Sequence, residues 1–126
     1  MTEACKVMVV DDNRDAADTA VMLLALWNHE AVAAYGADEC LDVAREFRPD
    51  VVLMDIGMPG KSGFDVAKEL QQICPSARLV ALTGFTRADI RRRAKDEGFA
   101  DFLVKPVEAE DLKDAVDTQC KDKPIS

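Results

Sequence analysis

Short unbroken apolar runs alternate along this chain with longer stretches whose apolar residues recur at helical spacing. The run 6–10 (KVMVV) is rich in β-branched residues and reads as a strand. Over 14–27, Ala17, Ala20, Val21, Leu24 and Trp27 fall on one face of a helix, and Asn28 can adopt the left-handed conformation that stops it. A weak strand at 30–35 precedes a helix over 38–47, where Cys40, Val43, Ala44 and Phe47 share a face and Pro49 brings the helix to its end. The run 51–54 (VVLM) is apolar throughout. Ser62 is suited to cap a helix over 63–73, which Pro75 breaks. A strand follows at 78–82. A helix from about 86 to 97 turns Ile90 and Ala94 inward and stops at Gly98. The last strand is 101–104 and the last helix 108–120.

Strands that are apolar on both sides belong in a parallel sheet covered on both faces. The pattern therefore predicts one α/β domain over 1–126, a doubly wound sheet of five strands with five helices. A chain of 126 residues, 48% hydrophobic and 32% charged, can bury a substantial core as a globular domain. No apolar run approaches the ~20 residues of a membrane span, and the N-terminus lacks the layout of a signal peptide, so a cytoplasmic protein is expected. The net charge of −8 argues against direct contact with nucleic acid or insertion at an anionic membrane.

A doubly wound sheet carries its site at the carboxyl ends of its strands. Asp11 and Asp12 follow the first strand, Asp55 the third, Thr83 the fourth and Lys105-Pro106 the fifth. Three carboxylates brought together repel one another unless a cation joins them. An oxygen-only set without His or Cys suits Mg²⁺, which also favours phosphate oxygens. A carboxylate can act as a nucleophile toward a phosphoryl group, Lys105 can neutralise charge on that group, and Thr83 can donate to one of its oxygens. Any one of these residues alone would be an ordinary polar loop residue. All of them at the strand ends of one sheet form a candidate site.

Two other motifs lead nowhere. Gly60-Lys61-Ser62 looks like the tail of a phosphate-binding P-loop, but the first glycine position is Asp55 and Pro59 has no N–H to offer an anion. The four cysteines, Cys5, Cys40, Cys74 and Cys120, are widely spaced without a C-x-x-C pair, and His29 is the sole histidine. A zinc site is not expected from that spacing, and the thiols read as small apolar side chains kept reduced.

The stretches VVDDNRDAADT, RPDVVLMDIGMPGKSGFDVA, LVALTG and FLVKPV, in that order, resemble response-regulator receiver domains over nearly the whole chain. The resemblance implies a flavodoxin-like strand order 2-1-3-4-5. It implies that Asp55 accepts a phosphoryl group from a histidine kinase or phosphotransfer protein, and that Asp11, Asp12, Asp55 and the Gly57 carbonyl hold Mg²⁺, with Asp12 the main direct ligand. It makes Thr83 the switch hydroxyl, Phe102 the switch aromatic, Lys105 the site lysine and Lys105–Pro106 a cis bond. Such a domain is not an enzyme beyond its own phosphorylation and dephosphorylation. It signals to a downstream protein target, as a monomer or as a dimer linked to phosphorylation.

Two competing classes are disfavoured by particular residues. A dehalogenase-type phosphatase would carry a second Asp where this chain has Gly57. A phosphorylation-independent interaction module would be expected to lack Asp12, Asp55 or Lys105. The six residues after Cys120 leave no room for an output domain, so the chain reads as a free-standing receiver or one cut from a hybrid sensor kinase. The helix 86–97 carries Arg87, Arg91 and Lys95 with Arg92 and Arg93 beside them. This is either a solvated face with Asp89–Arg93 and Arg92–Asp96 pairs or a dock for an acidic partner. Gly57 and Phe85, each two residues past a site residue, lack groups that would orient a hydrolytic water, so slow loss of the phosphoryl group is expected.

Overall fold

The structure is a computed structural model that describes residues 4–58, 62–84 and 88–121. Its elements alternate as β1 (Lys6–Val10), α1 (Arg14–Leu26), β2 (Glu30–Ala34), α2 (Ala37–Phe47), β3 (Val51–Asp55), α3 (Gly63–Ile73), β4 (Arg78–Thr83), α4 (Ala88–Asp96), β5 (Asp101–Val104) and α5 (Ala109–Lys121). All neighbouring strands pair in parallel, in the order β2-β1-β3-β4-β5. The element sequence agrees with the pattern read from the chain, and the strand order with what the resemblance implied.

Strand alternation divides the apolar residues between two layers. Val7, Val9, Val51, Leu53, Val80 and Leu82 face α1 and α5, where they meet Ala17, Leu24, Leu112 and Val116. Met8, Val10, Val52, Met54, Leu79 and Ala81 face the other way, against Cys40, Leu41 and Ala44 of α2, Phe64 and Leu70 of α3, and Ala94 of α4. β1 and β3 are fully buried from Val7 to Val10 and from Val51 to Asp55, which is why they show no polar alternation. β5 is an edge strand and only half-buried.

Local chemistry sets the helix ends. Asn13 accepts from the Ala16 amide (3.1 Å) and starts α1, and Ser62 accepts from the Phe64 amide (3.2 Å) and starts α3. Asn28 takes φ 70° after α1, as its position suggested. α2 ends at Arg48, with φ 54°, because the residue before Pro49 is disfavoured in the helical region. Gly98 takes φ 94° after α4. A side chain at Gly63 would meet the Ile56 backbone at 2.6 Å, so this glycine lets α3 start hard against the turn that follows Asp55. The side chains of Asp89 and Ile90 lie outside the described residues.

One expectation fails. Cys40 and Cys74 are free and buried, but Cys5 and Cys120 are joined as a disulfide, with Cα atoms 6.0 Å apart. Separation along the chain concealed the contact. α5 runs back across the sheet, so its last turn lies beside the start of β1 and places residues 115 positions apart in contact.

Candidate functional site

Pairing register brings the polar residues to one edge of the sheet. Val10 is level with Ala34 and Met54, Asp55 with Leu82, and Thr83 with Val104. Asp11, Asp55, Thr83 and Lys105 therefore project from, or just beyond, adjacent strand ends. Asp11, Asp55 and Thr83 are buried, while Asp12 is exposed.

Lys105 holds two of these carboxylates together. Its Nζ lies 3.0 Å from Asp55 Oδ2 and 3.1 Å from Asp11 Oδ2. Backbone amides take the other oxygens: Asn13 donates to Asp11 Oδ1 (3.0 Å) and Gly57 donates to Asp55 Oδ1 (2.8 Å). The Lys105 amide donates to the Thr83 carbonyl (2.7 Å), tying the end of β4 to the end of β5, and the next bond, Lys105–Pro106, is cis.

The electrostatics follow from burial and charge number. Burial pushes the Asp11 carboxyl above its usual value, and repulsion from Asp55 adds to this. The Asn13 amide and Lys105 offset it only in part. Burial works against the Lys105 ammonium, yet hydrogen bonds and attraction from Asp55 and Asp11 prevail and raise its pKa. One oxygen from each of Asp11, Asp12 and Asp55 lies within 4.8 Å of the others, so a single ammonium faces three carboxylates. Such a set of hard oxygen donors with surplus negative charge fits a small divalent cation. A cavity of about 680 Å³ opens beside Asp11 and Lys105 and runs between α1 and α5.

A family model for the response regulator receiver domain matches residues 7–117. The chain belongs to that family. It is 27% identical to sporulation initiation phosphotransferase F of Bacillus subtilis over 114 residues, covering 88% of this chain and 90% of that one. It is 32% identical to the transcriptional regulatory protein PdtaR of Mycobacterium tuberculosis over 115 residues, spanning 89% of this chain but 55% of that relative. Among solved structures, a response regulator receiver domain protein from Clostridium thermocellum superposes with a TM-score of 0.87 at 32% identity, covering 96% of this chain and 97% of the other. The chain is thus a receiver domain of two-component signalling.

The structure brings together Asp11, Asp12, Asp55 and Lys105 as the spacing suggested, with Thr83 one position beyond the level of Asp55. Phe102 lies farther from them, half-buried on β5, with the Arg91 guanidinium 5.6 Å from its ring centre. Phe85 and Arg87 fall outside the described residues, as do Pro59, Gly60 and Lys61. Arg92 and Asp96 form no ion pair among the described residues, so that part of the solvated-face reading does not hold. Arg93 lies over the Phe64 ring at 4.1 Å, and the side chain of its expected partner, Asp89, is outside the described residues. Two contributors escaped the sequence reading. Asn13 both fixes Asp11 through its amide and caps α1, and the Gly57 amide holds the Asp55 carboxylate. An Asn directly before a helical pattern is a visible capping signal, whereas a backbone donor leaves no mark in the sequence.

Proposed function

We propose that Asp55 is the phosphoacceptor of this receiver, supplied by a histidine kinase or histidine phosphotransfer protein. The observation that carries the reading is the Asp55 carboxylate held at both oxygens, by the Gly57 amide and by Lys105, at the open end of the sheet. A nucleophile fixed this way loses little freedom on reaction. As Asp55 attacks, its oxygen–phosphorus bond forms, the donor's nitrogen–phosphorus bond breaks, and the donor histidine recovers a neutral imidazole.

Asp11, Asp12, Asp55 and the Gly57 carbonyl would hold Mg²⁺, which when bound neutralises charge on the phosphoryl oxygens. The all-oxygen set and its excess of negative charge support that assignment. Lys105 is placed to leave Asp11 and follow the phosphoryl oxygen on Asp55. Thr83 would turn its hydroxyl toward a second phosphoryl oxygen. Its link to the Lys105 backbone supports a change that spreads to β5, Phe102 and α4, where Arg91, Arg92, Arg93 and Lys95 are exposed to a downstream protein. Met22 and Leu26, one turn apart on α1 and exposed at 66% and 75%, support docking of the donor on that helix. The domain turns over no separate substrate in this reading and acts as a monomer until phosphorylated.

The test is incubation with acetyl phosphate and Mg²⁺, followed by intact-mass spectrometry. One phosphoryl adduct is expected, absent in Asp55→Asn and strongly reduced in EDTA. An adduct of equal yield in Asp55→Asn would overturn the acceptor assignment, and one of equal yield in EDTA would overturn the metal assignment.

A further inference from the structure

At the opposite end of the sheet, the start of β1, the residue before β2 and the last turn of α5 converge on three metal-ligating side chains. Cys5, His29 and Cys120 are exposed by only 2%, 6% and 0%, and one ligand atom of each lies within 4.8 Å of the others. The Cys5 amide donates to His29 Nδ1 (3.1 Å), and the Cys5 carbonyl accepts from the Glu30 amide (3.0 Å), so backbone pairing fixes both residues. His29 Nε2 is buried and makes no regular hydrogen bond; its nearest partner is Asp117 Oδ1 at 3.5 Å. The other Asp117 oxygen is taken by Lys113 Nζ at 2.8 Å.

With Nδ1 accepting from the Cys5 amide, Nε2 carries the ring proton toward Asp117 at a distance too long for a regular hydrogen bond, and a disulfide alone leaves that buried N–H unsatisfied. We propose that, once the Cys5–Cys120 bond is reduced, Cys5, Cys120, His29 and Asp117 bind a tetrahedral divalent transition metal, with Zn²⁺ the best match. Two thiolates and one imidazole are the ligand types that select Zn²⁺ over Mg²⁺, and a carboxylate oxygen completes the four. A tetrahedral ion holds two thiolate sulfurs about 3.8 Å apart. Side chains on Cα atoms 6.0 Å apart reach that separation by rotating, without backbone movement. Lys113 offsets the surplus negative charge. Disulfide and metal are then two alternative closures of one site, each pinning the last turn of α5 to β1.

The chemistry balances. Two low-molecular-weight thiols supply two electrons and two protons, leave joined as their own disulfide, and convert Cys5 and Cys120 to thiols. The divalent ion then displaces both thiol protons, and the His29 ring proton moves from Nε2 to Nδ1, ending the Cys5 amide hydrogen bond so that Nε2 can ligate. The site lies roughly 16 Å from Asp55, the length of a five-residue strand, so it is separate from the carboxylate cluster.

The experiment uses the full chain, reduced with a phosphine and titrated with Co²⁺ as a spectroscopic probe. One equivalent should produce thiolate-to-cobalt charge-transfer absorption and tetrahedral visible bands, both abolished by Zn²⁺. Co²⁺ at the Asp11–Asp12–Asp55 cluster has no sulfur ligand and gives no such charge transfer. The bands should be absent in oxidised protein and in Cys120→Ser, and affinity should fall on the order of 10–100-fold in Asp117→Asn. Absence of charge transfer in reduced wild type, or its survival in Cys120→Ser, overturns the proposal. Should Cys120→Ser not fold, alkylation of reduced wild type decides. Zn²⁺ should shield Cys5 and Cys120 from the reagent, relative to Cys40 and Cys74, and equal labelling with and without Zn²⁺ overturns the site.

Discussion

Replacing Asp11 with Asn should make the metal-free domain more stable, although it removes an ion pair. Asp11 Oδ2 lies 3.1 Å from Lys105 Nζ, an attraction of about 5 kcal/mol at an effective dielectric constant of about 20. One Asp11 oxygen also lies within 4.8 Å of one oxygen each of Asp12 and Asp55, and a charged pair at that distance repels by about 3.5 kcal/mol on the same footing. Asp12 is exposed, so solvent screens its share, and repulsion alone does not outweigh the Lys105 attraction. Burial of the Asp11 charge is the largest penalty and decides the sign, and Lys105 and the Asn13 amide offset it only in part. Asn keeps the shape, still accepts from the Asn13 amide, and leaves Lys105 paired with Asp55. A gain of about 1–2 kcal/mol is expected at neutral pH, or roughly 5 °C in melting temperature for a domain of this size.

The pH dependence has a definite sign. A carboxyl whose folded pKa lies above its unfolded value binds protons more readily in the folded state, so stability falls as pH rises through the interval between the two. The penalty is absent below 3.8, where Asp11 is protonated in both states, and complete above the folded pKa. The advantage of Asp11→Asn should vanish over the same interval. Mg²⁺ should reverse the order, because a ligand at 100 times its Kd stabilises by about 2.7 kcal/mol and the variant has lost one donor. Urea unfolding in EDTA and in excess Mg²⁺, at pH 7 and at pH 3.5, measures all of this. A variant less stable than wild type in EDTA at pH 7 would show that the Lys105 pair outweighs burial and repulsion together, and would refute the reasoning.

Gly57→Asn should hasten loss of the phosphoryl group on the order of tenfold; a side chain there fits at ordinary contact, 3.4 Å from Asp55 Oδ1, and could orient a water. Decay of the phosphorylated form after donor removal checks this, and an unchanged rate would refute it. Reversing Arg91 and Lys95 together to Glu should weaken binding of an acidic downstream partner while leaving acetyl phosphate labelling of Asp55 intact; equal binding would reduce this face to a solvated surface. The Cys40 thiol, pushed up to about 12 by burial, should resist iodoacetamide in the folded protein at pH 8 and react once unfolded, as read by peptide mapping.

The doubly wound architecture was legible because β1, β3 and β4 are continuous apolar runs and the helices between them keep a 3.6-residue spacing. Asp11, Asp12, Asp55, Thr83 and Lys105 were legible for a related reason: in a parallel sheet the position after each strand maps directly to one edge. Side-chain packing was less so. The spacing over 38–47 selected Cys40, Val43, Ala44 and Phe47, yet Leu41 is also buried, because α3 covers α2 on a second side. The Cys5–Cys120 contact was invisible, since it depends on how far α5 travels back over the sheet. Arg92–Asp96 failed for a subtler reason. An exposed i,i+4 pair stabilises by only a few tenths of a kcal/mol, too little to hold the long Arg92 side chain in one geometry.

The two ends of the sheet carry opposite physical burdens, and the fold connects them. At the carboxyl ends, Asp11, Asp12 and Asp55 are held together at a cost, and one lysine relieves it only in part. That cost makes the site responsive, since any incoming positive charge, or any rearrangement of Lys105, releases energy already stored there. Such a site needs a frame that does not yield to repulsion. β1 and β3 provide it from both layers, with no solvent-exposed residue from Val7 to Val10 or from Val51 to Asp55. α5 is anchored at its far end by Cys120, while its first turn follows directly from the Lys105–Pro106 segment. Loosening the Cys5–Cys120 closure should therefore reach Lys105 through α5 before it reaches Asp55 through β3, because β3 is held by pairing on both sides and α5 by packing on one.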